Sequence, residues 1–153
     1  MAALRFHILK HDPLSDITFN PKETISFEGE TGPYLQYTVA RINSIFKKHG
    51  KLPSKADLSA LTPPEDYALA RMLHQFPSVL HEATANYKVH YLTQHLTKLA
   101  QAFSSYYEQH HVLSAEPAVR DARLQLCQAV RAVLSIGLTL LGMLVPRSRL
   151  SQG

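Results

Sequence analysis

The chain has 153 residues, 45% of them hydrophobic and 18% charged, enough for one domain with a real core and too apolar for a disordered segment. A formal net charge of +4 permits nucleic-acid binding, although a solvated basic surface gives the same number. The single Cys127 excludes an internal disulfide and suits a reducing, cytoplasmic compartment; the longest apolar run, 132–145, is interrupted by Ser135, Gly137 and Thr139 and is too short to span a bilayer.

Residues 2–10 read as a short helix ended by His11-Asp12-Pro13, without the basic start or small-residue cleavage site of a secretory signal. His7 and His11 stand i, i+4, a spacing two metal ligands can share. No third ligand follows, and no CxxC or HExxH context surrounds the other histidines, so both read as packing or surface residues and no metal site is expected. Residues 15–20 form an extended connector. Asn20-Pro21-Lys22-Glu23 then has the grammar of a helix start, with Asn as cap and Glu three residues on. That helix is short and stops near Phe27-Glu28-Gly29. Ser26, Glu28 and Glu30 belong to a turn that orients the long helix after it, and their charge keeps them out of any phosphate-binding surface.

Gly32-Pro33 opens one amphipathic helix that runs to about His49, with Gly50 as its stop. At about 100° per residue, Leu35, Val39, Ile42 and Phe46 share a core stripe. Tyr34, Tyr37, Arg41, Ser44 and Lys48 share a second face. Two tyrosines beside two cations are what base stacking and phosphate contact require. Periodicity alone also allows, and favours, the tyrosines packing under a neighbouring helix while the cations are solvated.

Residues 50–64, with three prolines, read as a loop with one turn near 54–58; Lys51 and Lys55 there are either solvated or on phosphate. Thr62-Pro63-Pro64-Glu65 again has the form of a helix start, with Thr62 as cap. The helix it opens buries Leu69, Met72, Leu73 and Phe76, and Pro77 kinks it or starts a new one in which Val79, Leu80 and Ala83 face inward. From Val89 to about His110, Leu92, Leu96, Leu99, Phe103 and Tyr106 follow a core-facing stripe, which leaves Tyr107 turned about 100° outward at the helix end beside His110 and His111. Glu116-Pro117 opens a last helix to about Leu144. Its inward set is Val119, Ala122, Leu126, Val130, Val133, Leu134, Leu138 and Leu141, and Arg120, Arg123 and Arg131 lie off that stripe. Gly137 inside this helix costs roughly 1 kcal/mol relative to Ala, which a close helix–helix approach would justify.

The run Glu28-Gly29-Glu30-Thr31-Gly32-Pro33-Tyr34-Leu35-Gln36-Tyr37, followed by Ala40-Arg41, resembles the junction of class I arginyl-tRNA synthetases where the catalytic domain hands over to a helical anticodon-binding domain. Leu99-Ala100-Gln101-Ala102-Phe103 with Tyr106-Tyr107, and Ala122-Arg123-Leu124 with Ala129-Val130-Arg131, Leu134, Gly137-Leu138 and Leu140-Leu141-Gly142, are similar to later helices of the same family. The resemblance implies an all-α bundle of about five principal helices, the anticodon-binding domain of class Ia synthetases. It implies a division into 1–19, the end of a catalytic domain; 20–146, the anticodon-binding domain; and 147–153, a divergent or foreign tail. Relatives of this kind usually finish Val-Pro-Glu-Arg-Met, whereas Val145-Pro146 is followed here by Arg147-Ser148-Arg149.

The implied partner is tRNA-Arg, held through Tyr34, Tyr37, Arg41, Ser44 and Tyr107, with Lys48 and Arg131 as further phosphate contacts. A second implied partner is the synthetase catalytic domain; no membrane and no DNA are expected. HIGH-type and KMSK-type motifs, GxxxxGK[ST], GxGxxG and GxSxG are all missing, so no catalytic residue is assigned and the stretch alone is expected to be inactive. It is expected to hold no cofactor of its own; ATP and Mg²⁺ would serve the full enzyme. Two other readings remain: a stand-alone tRNA-binding adaptor without ligase activity, and a protein-interaction bundle using Tyr34, Tyr37 and Arg41 as a contact patch.

Overall fold

A computed structural model describes residues 2–16, 22, 26 and 29–147. The helix start expected at Asn20-Pro21 and the tail beyond Arg147 lie outside the described residues. Five α-helices follow in chain order among the described residues: α1 (Ala2–Leu9), α2 (Gly32–His49), α3 (Pro64–Ala85), α4 (His90–Gln109) and α5 (Pro117–Leu140). A 3-10 turn at Leu58–Ala60 sits between α2 and α3, and there is no strand among the described residues. None of these helices is long and apolar enough to cross a membrane.

Helix α2 begins as its sequence dictates. The Thr31 hydroxyl accepts from the Tyr34 N–H at 3.2 Å, Pro33 takes a position whose N–H would have been orphaned, and Gly50 closes the helix at φ 88°. All four residues of the expected stripe are buried, and Ile45 and Thr38 join them. Gly32 is required by contact: a Cβ there would lie 2.8 Å from the Ala2 carbonyl oxygen and 3.0 Å from Phe6 Cβ. That close approach seats α1 on α2, with Phe6 as its core residue.

The core lies where α2, α3, α4 and α5 meet. The α4 stripe of Leu92, Leu96, Leu99, Phe103 and Tyr106 is buried throughout. Gly137 of α5 is likewise explained by contact, since a Cβ there would fall on the Leu96 methyls of α4. The inward set of α5 gains Leu124 and Cys127, both fully buried, while Val119 and Val133 are only half-buried.

Four local expectations change. Helix α3 is capped at Pro63, not Thr62, with no side-chain cap bond. It continues unbroken through Pro77, which sits on the exposed side, where water can take the carbonyl its ring leaves unpaired. Beyond Phe76 its apolar residues are only half-buried: Leu80 packs at the edge of the core, and with Ala83 it lines an open apolar cleft of about 400 Å³ together with Val89, Leu92, Leu140 and Leu141. Helix α5 stops at Leu140, because Gly142 turns left-handed at φ 67° and Met143 donates its N–H back to the Leu138 carbonyl. The chain then doubles back along α2, where Gln36 Nε2 donates to the Leu144 carbonyl at 2.7 Å and Asn43 Nδ2 to the Pro146 carbonyl at 3.1 Å.

Candidate nucleic-acid interface

The outer face of α2 splits into two parts. Tyr34 is half-buried against the core, and its hydroxyl reaches α4, 3.1 Å from Ser104 Oγ and 3.4 Å from the Ala100 carbonyl. It therefore takes the packed alternative that periodicity left open. Tyr37, one turn on and rotated outward, is 51% exposed. Arg41 lies a further turn along the same ridge, where i, i+4 neighbours meet.

Arg41 does not extend freely into solvent. Its guanidinium carbon lies 4.6 Å from the centroid of the Tyr107 ring on α4, within cation–π range. Tyr107 is thus half-buried rather than fully outward. Phe103, one turn before it on α4, stands 6.2 Å away with its ring inclined by only 28°. The Tyr107 ring consequently has both Phe103 and Arg41 as neighbours. Ser44 and Lys48 continue the α2 ridge and are exposed; the Ser44 hydroxyl donates back to the Ala40 carbonyl at 3.1 Å. Lys47, Lys48 and His49 make the last turn of α2 basic.

Arg131 of α5 lies apart from that ridge. Its guanidinium carbon is 5.9 Å from the Phe46 ring centroid. It opens onto a cleft of about 380 Å³ lined also by Val145, Pro146 and Arg147. Lys51 and Lys55 are exposed in the loop after α2.

Behind Tyr107 lies a polar cluster that the sequence did not disclose. Asp66, in the first turn of α3, is 1% exposed and faces the enclosed Tyr106 hydroxyl, with Arg123 alongside. Burial, with the Asp66 carboxylate added to it, holds the Tyr106 phenol well above its ordinary range. His110 extends the cluster: Nδ1 is 3.3 Å from an Arg123 nitrogen and Nε2 is 3.5 Å from Glu65. Cys127 sits beside the same groups, its thiol pushed up to about 12 mainly by burial, a packing group and not a nucleophile. In sequence, Asp66 looks like any acid at a helix start, and only the fold brings it under Tyr106. No group of three His, Cys, Asp or Glu among the described residues could hold a metal ion.

Residues 35–148 match the DALR anticodon binding domain family. The chain belongs to that family. The DALR match is supported by curated relatives: the arginine–tRNA ligase of Halothermothrix orenii is 39% identical over 147 residues, and that of Enterococcus faecalis 39% identical over 146. Each alignment covers 95% of this chain and 26% of the relative, so the chain spans about a quarter of the length of the ligases it matches. Among solved structures, Thermus thermophilus arginyl-tRNA synthetase superposes with a TM-score of 0.89 at 38% identity, over 95% of this chain and 26% of that one. The Plasmodium falciparum arginyl-tRNA synthetase gives 0.81 at 27% identity, over 97% and 26%. The DALR fold is thus the all-α bundle that the sequence implied.

Proposed function

We propose that this chain is the anticodon-binding part of an arginine–tRNA ligase and holds the anticodon stem-loop of tRNA-Arg. The observation that carries the reading is the α2 ridge: an exposed Tyr37 one turn from Arg41, with Tyr107 brought beside Arg41 from α4. Single-stranded loops are recognised by stacking unpaired bases on aromatic faces while cations meet the backbone. Tyr37 and Tyr107 supply the faces. Arg41 and Lys48 supply the nearest cations, Ser44 a hydroxyl between them, and Arg131 a more distant cation. Tyr34 acts from behind, as the residue that fixes α2 to α4. A base stacked on Tyr37 contributes on the order of 1–3 kcal/mol.

On this reading residues 1–19 end the catalytic domain, and the sites for ATP, Mg²⁺ and arginine belong to the rest of the enzyme. The test is binding of the purified chain to a tRNA-Arg anticodon stem-loop at low salt, against a loop with altered anticodon bases. The expected result is preference for the native loop, reduced at least fivefold by Tyr37→Ala. Equal binding to both loops, unmoved by Tyr37→Ala, would overturn the reading and favour a protein-contact patch.

A further inference from the structure

The contact of Arg41 with the Tyr107 ring has a chemical consequence. The Arg41 guanidinium lies over the Tyr107 ring, 4.6 Å from its centroid, and Phe103 packs nearby with ring centroids 6.2 Å apart. Arg41 itself has no carboxylate partner among the ion pairs of the described residues. Among the described residues the group that engages its charge is the Tyr107 ring. A base cannot stack on Tyr107 where the guanidinium now lies, and a phosphate cannot take the guanidinium without uncovering the ring.

We infer that Arg41 is an exchangeable cap on Tyr107: an incoming RNA phosphate draws the guanidinium off the ring, and a base takes the uncovered face. Backbone contact and base stacking are then conditional on one another. A bare polyanion gains only the phosphate contact while giving up the cap, whereas a strand with a splayed base beside that phosphate gains both. The cap thus raises selectivity for an unstacked loop over a regular duplex, whose bases cannot leave the stack to fill Tyr107. It also keeps an aromatic face from standing open when no RNA is bound. This inference rests on the anticodon reading above and adds the order of exchange at that site.

The two roles of Arg41 have opposite signs and different salt dependence, which makes them separable. Losing one phosphate contact to a single strand makes the salt slope of log K shallower by about 0.7, or about fivefold in relative affinity between 50 and 500 mM KCl. Losing the cap returns about two- to fivefold at any salt, the usual worth of such a cation–π contact. Arg41→Ala should therefore bind the anticodon stem-loop a few-fold more weakly than the parent at 50 mM KCl and as tightly or more tightly at 500 mM. With Tyr107→Leu as background there is no ring to cover, and Arg41→Ala should weaken binding at both salts.

A direct readout accompanies the affinities. The Arg41 side-chain protons should be shifted upfield by the Tyr107 ring in the free protein and lose that shift on titration with the stem-loop. Crossing salt curves in the parent background, absent in Tyr107→Leu, together with loss of the ring-current shift would establish the exchange. If the parent prefers its native loop but Arg41→Ala is weaker by one constant factor at every salt, or the shift persists in the complex, the cap is overturned and the anticodon reading stands. If the parent shows no preference between loops, both fall.

Discussion

Phe103 joins the core to the candidate interface, and its removal gives the most demanding test of the fold. The residue is fully buried, and its ring packs against Tyr107 with centroids 6.2 Å apart. Phe103→Ala deletes a whole ring from a close-packed site and leaves a cavity that the surrounding helices can only partly close. Such deletions cost about 3–5 kcal/mol. In a domain of this size each kcal/mol lowers the midpoint by about 2–4 °C, so a loss near 4 kcal/mol corresponds to a fall of about 8–16 °C. Thermal unfolding followed by circular dichroism at 222 nm, with urea melts to check that the m-value is unchanged, measures it directly. Tyr37→Ala is the paired control: Tyr37 is 51% exposed and should shift stability by no more than about 0.5 kcal/mol. Phe103→Leu separates support from stability, because it keeps most of the volume while removing the ring that neighbours Tyr107. Its fold should hold within about 1.5 kcal/mol, while its RNA affinity falls further than unfolding accounts for. A loss below about 1 kcal/mol for Phe103→Ala, or one above 2 kcal/mol for Tyr37→Ala, would refute this account of what is core and what is surface.

Gly32→Ala places a Cβ 2.8 Å from a backbone oxygen of α1, and should destabilise by about 1–3 kcal/mol, read in the same melts. Asn43→Ala removes the bond that holds the Pro146 carbonyl on α2; a cost of about 1 kcal/mol and faster proteolysis after residue 143 are expected, and unchanged proteolysis would count against it. Cys127 should be inert to thiol reagents at pH 8 until the chain unfolds. Its thiol is held protonated to about pH 12 in the fold but ionises from its ordinary value of 9.0 when unfolded. The unfolded state thus binds fewer protons above pH 9, so the contribution is complete below that pH. It is lost at roughly 1 kcal/mol per unit as pH rises toward 12, with Tyr106 adding to the fall from about pH 10. A melting midpoint that stays flat between pH 9 and 11 would contradict the burial of both groups.

Periodicity and punctuation carried most of the architecture. Gly32-Pro33 and Gly50 bound α2, five apolar residues at helical spacing mark the buried side of α4, and Gly137 meets the neighbour its cost called for. What the sequence left open is decided by a second element. A helical wheel fixes the direction of Tyr34 but not the presence of α4 across from it, so an apparent surface tyrosine becomes a tie to Ser104. The end of α5 falls short of the expected position because the apolar pattern continues past Leu140 while the Gly142 backbone does not. Arg41 and Tyr107, 66 positions apart, both stand out in the sequence, yet their contact is not legible there, because nothing in either helix alone specifies how the two align. Asp66 is invisible for the same reason: an acid at a helix start is favourable in solvent, and only tertiary packing encloses it beneath Tyr106.

The Tyr34 tie constrains which length changes this chain can tolerate. Tyr34 meets Ser104 seven residues before Arg41 meets a ring only three residues past Ser104. These two contacts pin α2 and α4 at separate heights, like two rungs between a pair of rails. A single-residue insertion within 35–40 would rotate Arg41 by about 100° around its helix while leaving the Tyr34 rung in place. One within 105–106 would do the same to Tyr107. The loop between α2 and α3 bears on neither rung and has no such restriction. Length variation among sequences that keep the Arg41–Tyr107 pair should therefore collect in that loop and be absent from these two short helical spans.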